Sequence, residues 1–103
     1  MKVLGITACP TGIAHTYMAQ ESLENELKKR GFDYKVETQG GLGIENELTK
    51  EEIDDADVII LAVSIVIEGE ERFEGKKVLR ADVDRAIKDV KNLVDEAVEI
   101  AKE

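Results

Sequence analysis

The chain has 103 residues, a formal net charge of −9 and 43% hydrophobic residues, which predicts a single domain, residues 1–103, with a core of its own. The negative charge argues against nucleic acid as a partner, because phosphate backbones require clustered lysine and arginine. A single cysteine excludes an internal disulfide and a metal site built from several cysteines. No apolar run is long enough to cross a membrane, so we expect a cytoplasmic protein.

In the first half of the chain, the apolar pattern predicts a strand, a helix and a second strand. Residues 3–6 are a buried run, and a helical pattern extends from about Ala14 to the basic residues before Gly31. Polar and apolar residues alternate in 32–38, which predicts a strand at an edge of the sheet. Residues 39–43 are a glycine-dense loop.

The second half continues the alternation. A capping box of Thr49 and Glu52 opens a short helix to about Asp55. The continuous apolar run 58–63 predicts a strand buried on both faces. A solvated, charged connection over 68–74 leads to a fourth strand at 77–80, and one long helix with an apolar stripe follows from about Val83. This alternation predicts an α/β domain with a parallel sheet.

The loop after the first strand contains the only cysteine, proline and histidine of the chain, in the run CPTGIAHT. A thiol at a helix N-terminus has a lowered pKa, which makes Cys9 a candidate nucleophile. Gly12 permits a tight turn, and Thr11 and Thr16 offer hydroxyl donors, so the loop resembles an anion cradle. No Asp, Glu, Lys or Arg occurs in residues 3–20. The alternative is a buried structural cysteine.

His15 stands six residues after Cys9 and is followed by Thr16. Thiol-dependent phosphatases have an arginine at that position, followed by serine or threonine. A histidine cannot reproduce the bidentate guanidinium fork, so the phosphate would be held more weakly. This weaker hold suits an enzyme that passes phosphate on. The alternative is a residue that only packs or caps at the helix start.

Residues 7–19, TACPTGIAHTYMA, resemble the phosphorylation loop of the fructose-type enzyme IIB component of the bacterial phosphoenolpyruvate-dependent sugar phosphotransferase system. The similarity continues through residues 36–40 and then at Gly43, Asn46, Leu48 and Thr49. It resumes at 56–60 and 72–76. The resemblance implies a four-stranded parallel sheet of order 2-1-3-4 with helices on both faces, a Rossmann-like three-layer sandwich. Its topological switch point would lie beside Cys9.

The resemblance also implies a mechanism. A phosphohistidine of the IIA component donates its phosphoryl group to Cys9, which passes it to a sugar, expected to be fructose, presented by the membrane IIC component. No metal or other cofactor is required, and the protein is expected to be a monomer, cytoplasmic and peripheral to the membrane through IIC. The phosphate-binding positions are Thr11, Gly12, Ile13, Ala14, His15 and Thr16. Two alternatives are a small thiol-dependent phosphatase and a non-catalytic, phospho-regulated interaction module.

A few positions depart from the family pattern or allow more than one interpretation. Gly41 replaces a frequent serine, and Ser64 stands where relatives often have an acidic residue at the strand end. The glycine cluster 40–43 is either a second wall of the site or a surface turn. For Gln39 an exposed strand end is the favoured interpretation, and Asp54, Asp55 and Asp57 are predicted to be solvated rather than to bind a metal.

Overall fold

Strands and helices alternate along the chain, as the sequence predicts. The structure, a computed structural model, describes residues 1–10, 14–41 and 43–103. The elements are β1 (Lys2–Ala8), α1 (Ala14–Lys29), β2 (Asp33–Gly40), β3 (Gly43–Glu45), α2 (Lys50–Asp55), β4 (Val58–Val63), a 3₁₀ helix (Glu70–Phe73), β5 (Val78–Ala81), α3 (Val83–Lys88) and α4 (Val90–Lys102).

The described residues form a five-stranded mixed sheet of order β3-β2-β1-β4-β5. The parallel part, β2-β1-β4-β5, is the predicted order 2-1-3-4. The prediction of a purely parallel, four-stranded sheet is wrong, because β3 pairs antiparallel with β2. The backbone of Gly43 has a φ of +89°, which a glycine adopts without strain, and the chain reverses there to form a hairpin. The carboxyl half of β2 is therefore not an edge.

Each face of the sheet has its own apolar cluster, which makes the fold a three-layer sandwich. One cluster contains Leu23 and Leu27 of α1 together with Leu93 of α4. The other contains Ile53 of α2 and Phe73 of the 3₁₀ helix. β1 and β4 are apolar on both faces because helices cover both, and this confirms the predicted architecture.

The C-terminal helix is shorter than predicted, because the chain breaks it at one residue. Asp89 has φ −139° and ψ 36°, which ends α3 and begins α4. Its carboxylate accepts a hydrogen bond from the side-chain amide of Asn92 at 2.8 Å. Aspartate competes for local hydrogen bonds outside the helix, so the apolar stripe continues across a break that periodicity alone does not reveal.

The topology gathers the carboxyl ends of β1, β2 and β4 along one edge. The chain leaves β1 through α1 to β2 on one side, and later reaches β4 on the other side of β1. In open α/β sheets, a ligand site lies at the point where the strand order reverses in this way. Here that point is the end of β1, which is followed at once by Cys9.

Candidate active site at the carboxyl edge of the sheet

Cys9 lies just past the end of β1, between the ends of its two neighbouring strands. Ala8 is in register with Gln39 of β2 and with Val63 of β4. The backbone N–H of Ser64 donates to the carbonyl of Ala8 at 3.0 Å, which extends the pairing by one residue. Cys9 is 2% exposed. A reactant must therefore enter the edge of the sheet to reach its sulfur.

Among the described residues, Thr16 is a predicted site residue that contacts Cys9. Its Oγ1 lies 3.2 Å from the Cys9 Sγ, and its side chain is fully buried in the first turn of α1. The hydroxyl of Thr7 donates to the carbonyl of Thr16 at 2.9 Å, which holds this turn against β1. A hydroxyl in this position can donate to a thiolate and stabilise it.

The other predicted phosphate-binding residues divide into two groups. Ala14 and His15 begin α1, and both are exposed to solvent. Thr11, Gly12 and Ile13 lie outside the described residues. The first-turn N–H groups of α1 have no partner within the helix and are oriented toward its N-terminus, which makes this end suited to an anion.

A cleft opens beside Cys9 at this edge of the sheet. One wall is the turn between β2 and β3, and the other is the segment after β4. The described lining residues are Cys9, Pro10, Gln39, Gly40, Gly41, Gly43, Ile44, Ile65, Val66 and Glu68. The glycine cluster thus forms a second wall, as one of the two predicted alternatives proposes.

The rim of the cleft is apolar. Ile44 is 38% exposed, Ile65 is 37% exposed and Val66 is 92% exposed. Half of the large hydrophobic residues exposed in the described part of the chain therefore lie at this one cleft. Among the described lining residues only Glu68 is charged, and it is acidic. Exposed apolar side chains gathered around a concave site are typical of a protein-binding surface.

An ion pair beneath the cleft is a feature that sequence reasoning missed. Glu37 is fully buried, and its two carboxylate oxygens accept from the Arg72 guanidinium at 3.0 and 3.1 Å. The backbone N–H of Leu48 also donates to Glu37, at 2.9 Å. Burial raises the pKa of Glu37, but the hydrogen bonds from Arg72, Gln39 and Leu48 outweigh it and leave that pKa below its ordinary value. The carboxylate therefore stays charged inside the protein.

Gln39 connects this ion pair to the cleft. Its side-chain N–H₂ donates to Glu37 at 2.7 Å and to the carbonyl of Glu68 at 2.9 Å, while its carbonyl accepts from the N–H of Glu68 at 2.8 Å. Gln39 is 6% exposed, so the expected exposed strand end is wrong. The prediction that Arg72 lies in a solvated connection is also wrong, since a 3₁₀ helix holds it against Glu37. One signal was available in the sequence. Glu37 lies inside a strand, and a buried glutamate there requires a cationic partner.

Ser64 replaces a carboxylate that the sequence comparison predicts at the end of β4. Its hydroxyl donates to Asp82 at 2.7 Å, and Asp82 caps the start of α3. This bond and the backbone N–H groups of α3 lower the pKa of Asp82. A charged carboxylate thus stands beside the end of β4, contributed by the residue after β5.

The described residues give no sign of a metal centre or a membrane span. They contain no group of three or more histidine, cysteine, aspartate or glutamate side chains arranged to hold an ion. None of the described helices has the length and apolar character needed to traverse a bilayer.

Comparison with known proteins places this geometry in a family. The family model described as the PTS system lactose/cellobiose specific IIB subunit matches residues 4–96. The PTS system fructose-like EIIB component 2 of Escherichia coli K12 is 52% identical over 87 residues, covering 84% of this chain and 82% of that protein. The fructose-specific EIIABC component of Bacillus subtilis is 46% identical over 97 residues, covering 94% of this chain and 15% of that longer protein.

Solved structures agree on the fold. A crystal structure of a domain from the fructose-specific IIABC component of Borrelia burgdorferi has 50% identity and a TM-score of 0.90, covering 95% of this chain and 93% of that one. A predicted fructose-specific IIB of Escherichia coli has 33% identity and a TM-score of 0.95, covering 99% and 90%. The cleft around Cys9 thus lies in a chain that belongs to the IIB family of the sugar phosphotransferase system, among relatives named as fructose-type components.

Proposed function

We propose that this protein relays a phosphoryl group in a fructose-type phosphotransferase system, with Cys9 as the residue that carries it. The observation that supports this most strongly is the placement of Cys9 at the carboxyl edge of the sheet, inside a cleft, with the Thr16 hydroxyl 3.2 Å from its sulfur. The chain belongs to the IIB family, and its resemblance to the phosphorylation loop of fructose-type IIB components supports this thiol as the acceptor. The donor is a phosphohistidine of the IIA component, and the final acceptor is a sugar held by the membrane IIC component.

The relay consists of two displacements at phosphorus. The Cys9 thiolate attacks the phosphorus, an S–P bond forms and the P–N bond of the donor breaks. The donor imidazole, which carries a proton on its other ring nitrogen, leaves with the electron pair as neutral imidazole. A sugar hydroxyl then attacks the same phosphorus, the S–P bond breaks and the thiolate is restored. The hydroxyl proton passes to solvent or to a base of the acceptor site. Neither step changes an oxidation state, so the pair requires no redox partner.

The residues of this chain contribute position and charge stabilisation. The Thr16 hydroxyl donates to the thiolate and then to an oxygen of the transferred group. The N–H groups at the start of α1, from Ala14 to Thr16, bind the equatorial oxygens together with loop residues Thr11 to Ile13. His15 is exposed at the same helix start and donates a further hydrogen bond from its ring.

The partners and the sugar follow from relatives. Relatives named as EIIABC and EIIBC components are longer proteins that contain a stretch similar to this chain. This protein accordingly works with a IIA donor and a IIC permease, on the cytoplasmic side of the membrane and attached to it through IIC. The fructose-type names of the closely similar relatives favour fructose over the lactose and cellobiose named in the family description.

A transfer experiment tests the proposal. The protein is phosphorylated with labelled IIA, freed of donor, and mixed with vesicles containing IIC and fructose, cellobiose or lactose. We expect label to appear in a fructose phosphate only when both IIC and fructose are present. Release of inorganic phosphate at the same rate without IIC, together with turnover of p-nitrophenyl phosphate, would instead establish the phosphatase alternative.

A further inference from the structure

We propose that Gln39 is a positioning residue for phosphoryl transfer: together with the buried Glu37–Arg72 pair, it holds one wall of the cleft at a fixed place beside Cys9. The cleft wall is defined here as residues 64–68. The inference rests on the proposed function of Cys9, because positioning matters for a reaction that takes place at its sulfur.

The cleft wall is attached to the sheet at both ends. At its start, the N–H of Ser64 donates to the carbonyl of Ala8, the residue before Cys9. At its end, Glu68 exchanges two backbone hydrogen bonds with the side-chain amide of Gln39, at 2.8 and 2.9 Å. Between these two attachments, Ile65 and Val66 expose apolar side chains at the rim. Hydrogen bonds at both ends therefore hold the exposed part of the wall.

The amide of Gln39 is held in one orientation. Its N–H₂ group donates to the carboxylate of Glu37 as well as to the carbonyl of Glu68. A flipped amide would turn its oxygen toward both of these acceptors and its N–H₂ toward the Glu68 N–H. Glu37 in turn is fixed by the two bonds from Arg72 and one from the backbone of Leu48. Through Gln39, the position of the wall is therefore fixed relative to the buried, charged carboxylate of Glu37.

Arg72 also contacts the backbone at the end of the wall. Its Nε donates to the carbonyl of Gly69 at 2.6 Å, and its Nη2 lies 3.3 Å from the carbonyl of Glu68. Gly69 has a φ of +75°, and a Cβ added there would lie 2.7 Å from the Arg72 Nε. Both the backbone angle and the close approach of the guanidinium require glycine at this position.

Such rigidity matters because the sulfur is almost inaccessible. A donor must bring its phosphorus to roughly 3–3.5 Å from the Cys9 sulfur, and a displacement of about 1 Å can cost a hundredfold in rate. Since Cys9 is 2% exposed, any donor that reaches it contacts the walls of the cleft. A wall that shifts would misplace the donor and expose the thiol.

The test compares Gln39→Met with Lys35→Met. Both residues lie on β2, and Lys35 also bonds a loop carbonyl and a carboxylate, those of Glu47 and Glu52, each at 2.9 Å, but it does not line the cleft. Three quantities are measured: kcat/KM for phosphorylation by phosphorylated IIA, the rate of Cys9 alkylation by iodoacetamide, and hydrogen exchange of the Glu68 amide.

For Gln39→Met we expect kcat/KM to fall by about tenfold to a hundredfold. Alkylation of Cys9 and exchange of the Glu68 amide should both become faster, while Lys35→Met leaves all three near wild type. A wild-type kcat/KM in Gln39→Met despite faster exchange at Glu68 would overturn the inference. Equal losses in the two variants would also overturn it, because a general loss of stability would then explain both.

A second pair of variants changes residues that are not among those lining the cleft. Gly69→Ala and Gly75→Ala impose similar backbone strain, at φ +75° and +80°, but a Cβ meets Arg72 only at position 69 and nothing within 4 Å at position 75. We expect Gly69→Ala alone to reproduce the changes of Gln39→Met. Identical behaviour of the two alanine variants would contradict the role of Arg72. If wild type accepts no phosphoryl group, the proposed function fails, while alkylation and exchange still test whether Gln39 holds the cleft wall.

Discussion

The hydroxyl of Thr16 lies 3.2 Å from the sulfur of Cys9, although one residue belongs to α1 and the other follows β1. The contact is buried, since Thr16 is fully buried and Cys9 is 2% exposed. A hydrogen bond donated to sulfur favours the thiolate over the thiol, and inside the protein it is stronger than in water. The helix start thus supplies one donor at the position where negative charge must be stabilised.

Replacing Thr16 with valine removes this donor while nearly preserving the volume. We expect the rate of Cys9 phosphorylation at saturating IIA to fall by about tenfold to a hundredfold, somewhat less than for a typical oxyanion donor, because backbone donors remain. Thr16→Ser should retain most of the rate. The measurement is rapid-quench phosphorylation.

Thr7→Val is the matched control for this variant. It removes the hydrogen bond from Thr7 to the carbonyl of Thr16 but leaves the hydroxyl that contacts Cys9. It should destabilise the fold by about 1 kcal/mol with little change in the saturated rate. A slower rate in Thr7→Val than in Thr16→Val would show that packing, not the hydroxyl, governs the reaction.

The Glu37–Arg72 pair predicts a dependence of stability on one buried charge. Arg72→Met leaves the Glu37 carboxylate buried without its cation, so we expect the free energy of unfolding at neutral pH to fall by about 3 kcal/mol. Arg80 also pairs with a glutamate, Glu70, but both side chains are about half exposed. Arg80→Met should therefore change stability by less than about 1 kcal/mol. Urea denaturation measures both.

The same pair sets the direction of a pH effect. The pKa of Glu37 is lower in the folded protein than in the unfolded chain, because the bonds it accepts outweigh the effect of burial. Its contribution to stability is therefore complete above the unfolded pKa and is lost as the pH falls through the folded one. In Arg72→Met, the carboxylate loses the hydrogen bonds and the charge of Arg72, so the pKa of Glu37 is higher than in wild type and the two proteins should converge in stability as the pH is lowered. A constant difference from pH 7 to acid pH would contradict this assignment.

The exposed rim predicts where the donor protein binds. Val66 is 92% exposed, so Val66→Asp should leave the free energy of unfolding unchanged. An aspartate on an apolar contact surface should raise the KM for phosphorylated IIA by about tenfold, which corresponds to 1.4 kcal/mol.

Tyr34→Asp provides the control for this substitution. Tyr34 is 36% exposed and lies near the start of β2, at the end of the sheet opposite the cleft. The KM of the Tyr34→Asp variant for phosphorylated IIA should remain at the wild-type value. An unchanged KM in Val66→Asp, combined with slower transfer to sugar in IIC vesicles, would assign the rim to the acceptor and not to the donor.

Tyr17 links α1 to β3 by donating its phenolic hydrogen to Glu45. This hydrogen bond to a carboxylate raises the pKa of Tyr17, with smaller contributions from desolvation and from the charge of Glu45. The bond contributes stability below the unfolded pKa of the phenol and loses it as the pH rises through the raised value. In a Tyr34→Phe background, ultraviolet titration should show Glu45→Gln lowering the pKa of Tyr17. No change on that substitution would mean that the link is absent in solution.

Local patterns predicted much of the fold. The apolar runs of β1 and β4, the capping box at Thr49 and the glycine after α1 each depend on neighbours in sequence, and each appears where predicted. β3 was missed because a glycine-dense segment favours a loop and a hairpin equally well. The break at Asp89 was missed because the apolar stripe continues on both sides of it.

The same distinction between local and distant contacts separates the site residues that were predictable from those that were not. Cys9 and Thr16 were predictable because the strand, the loop and the helix start are adjacent in sequence. Gln39 and Arg72 were not, because their roles depend on contacts between distant parts of the chain. Arg72 pairs with Glu37, 35 residues away, and Gln39 bonds Glu68, 29 residues away. From the sequence alone, a charged residue in a strand is predicted to face solvent, because the segment that covers it is not known.

Intact-mass measurement shows whether Cys9 carries the phosphoryl group. Wild type, Cys9→Ala and His15→Ala are each incubated with phosphorylated IIA, and the modified peptide is then mapped. We expect wild type to gain the mass of one phosphoryl group on Cys9, Cys9→Ala to gain none, and His15→Ala to be modified at the same cysteine. A phosphoryl group on His15, or an equal gain by Cys9→Ala, would show that Cys9 is not the carrier.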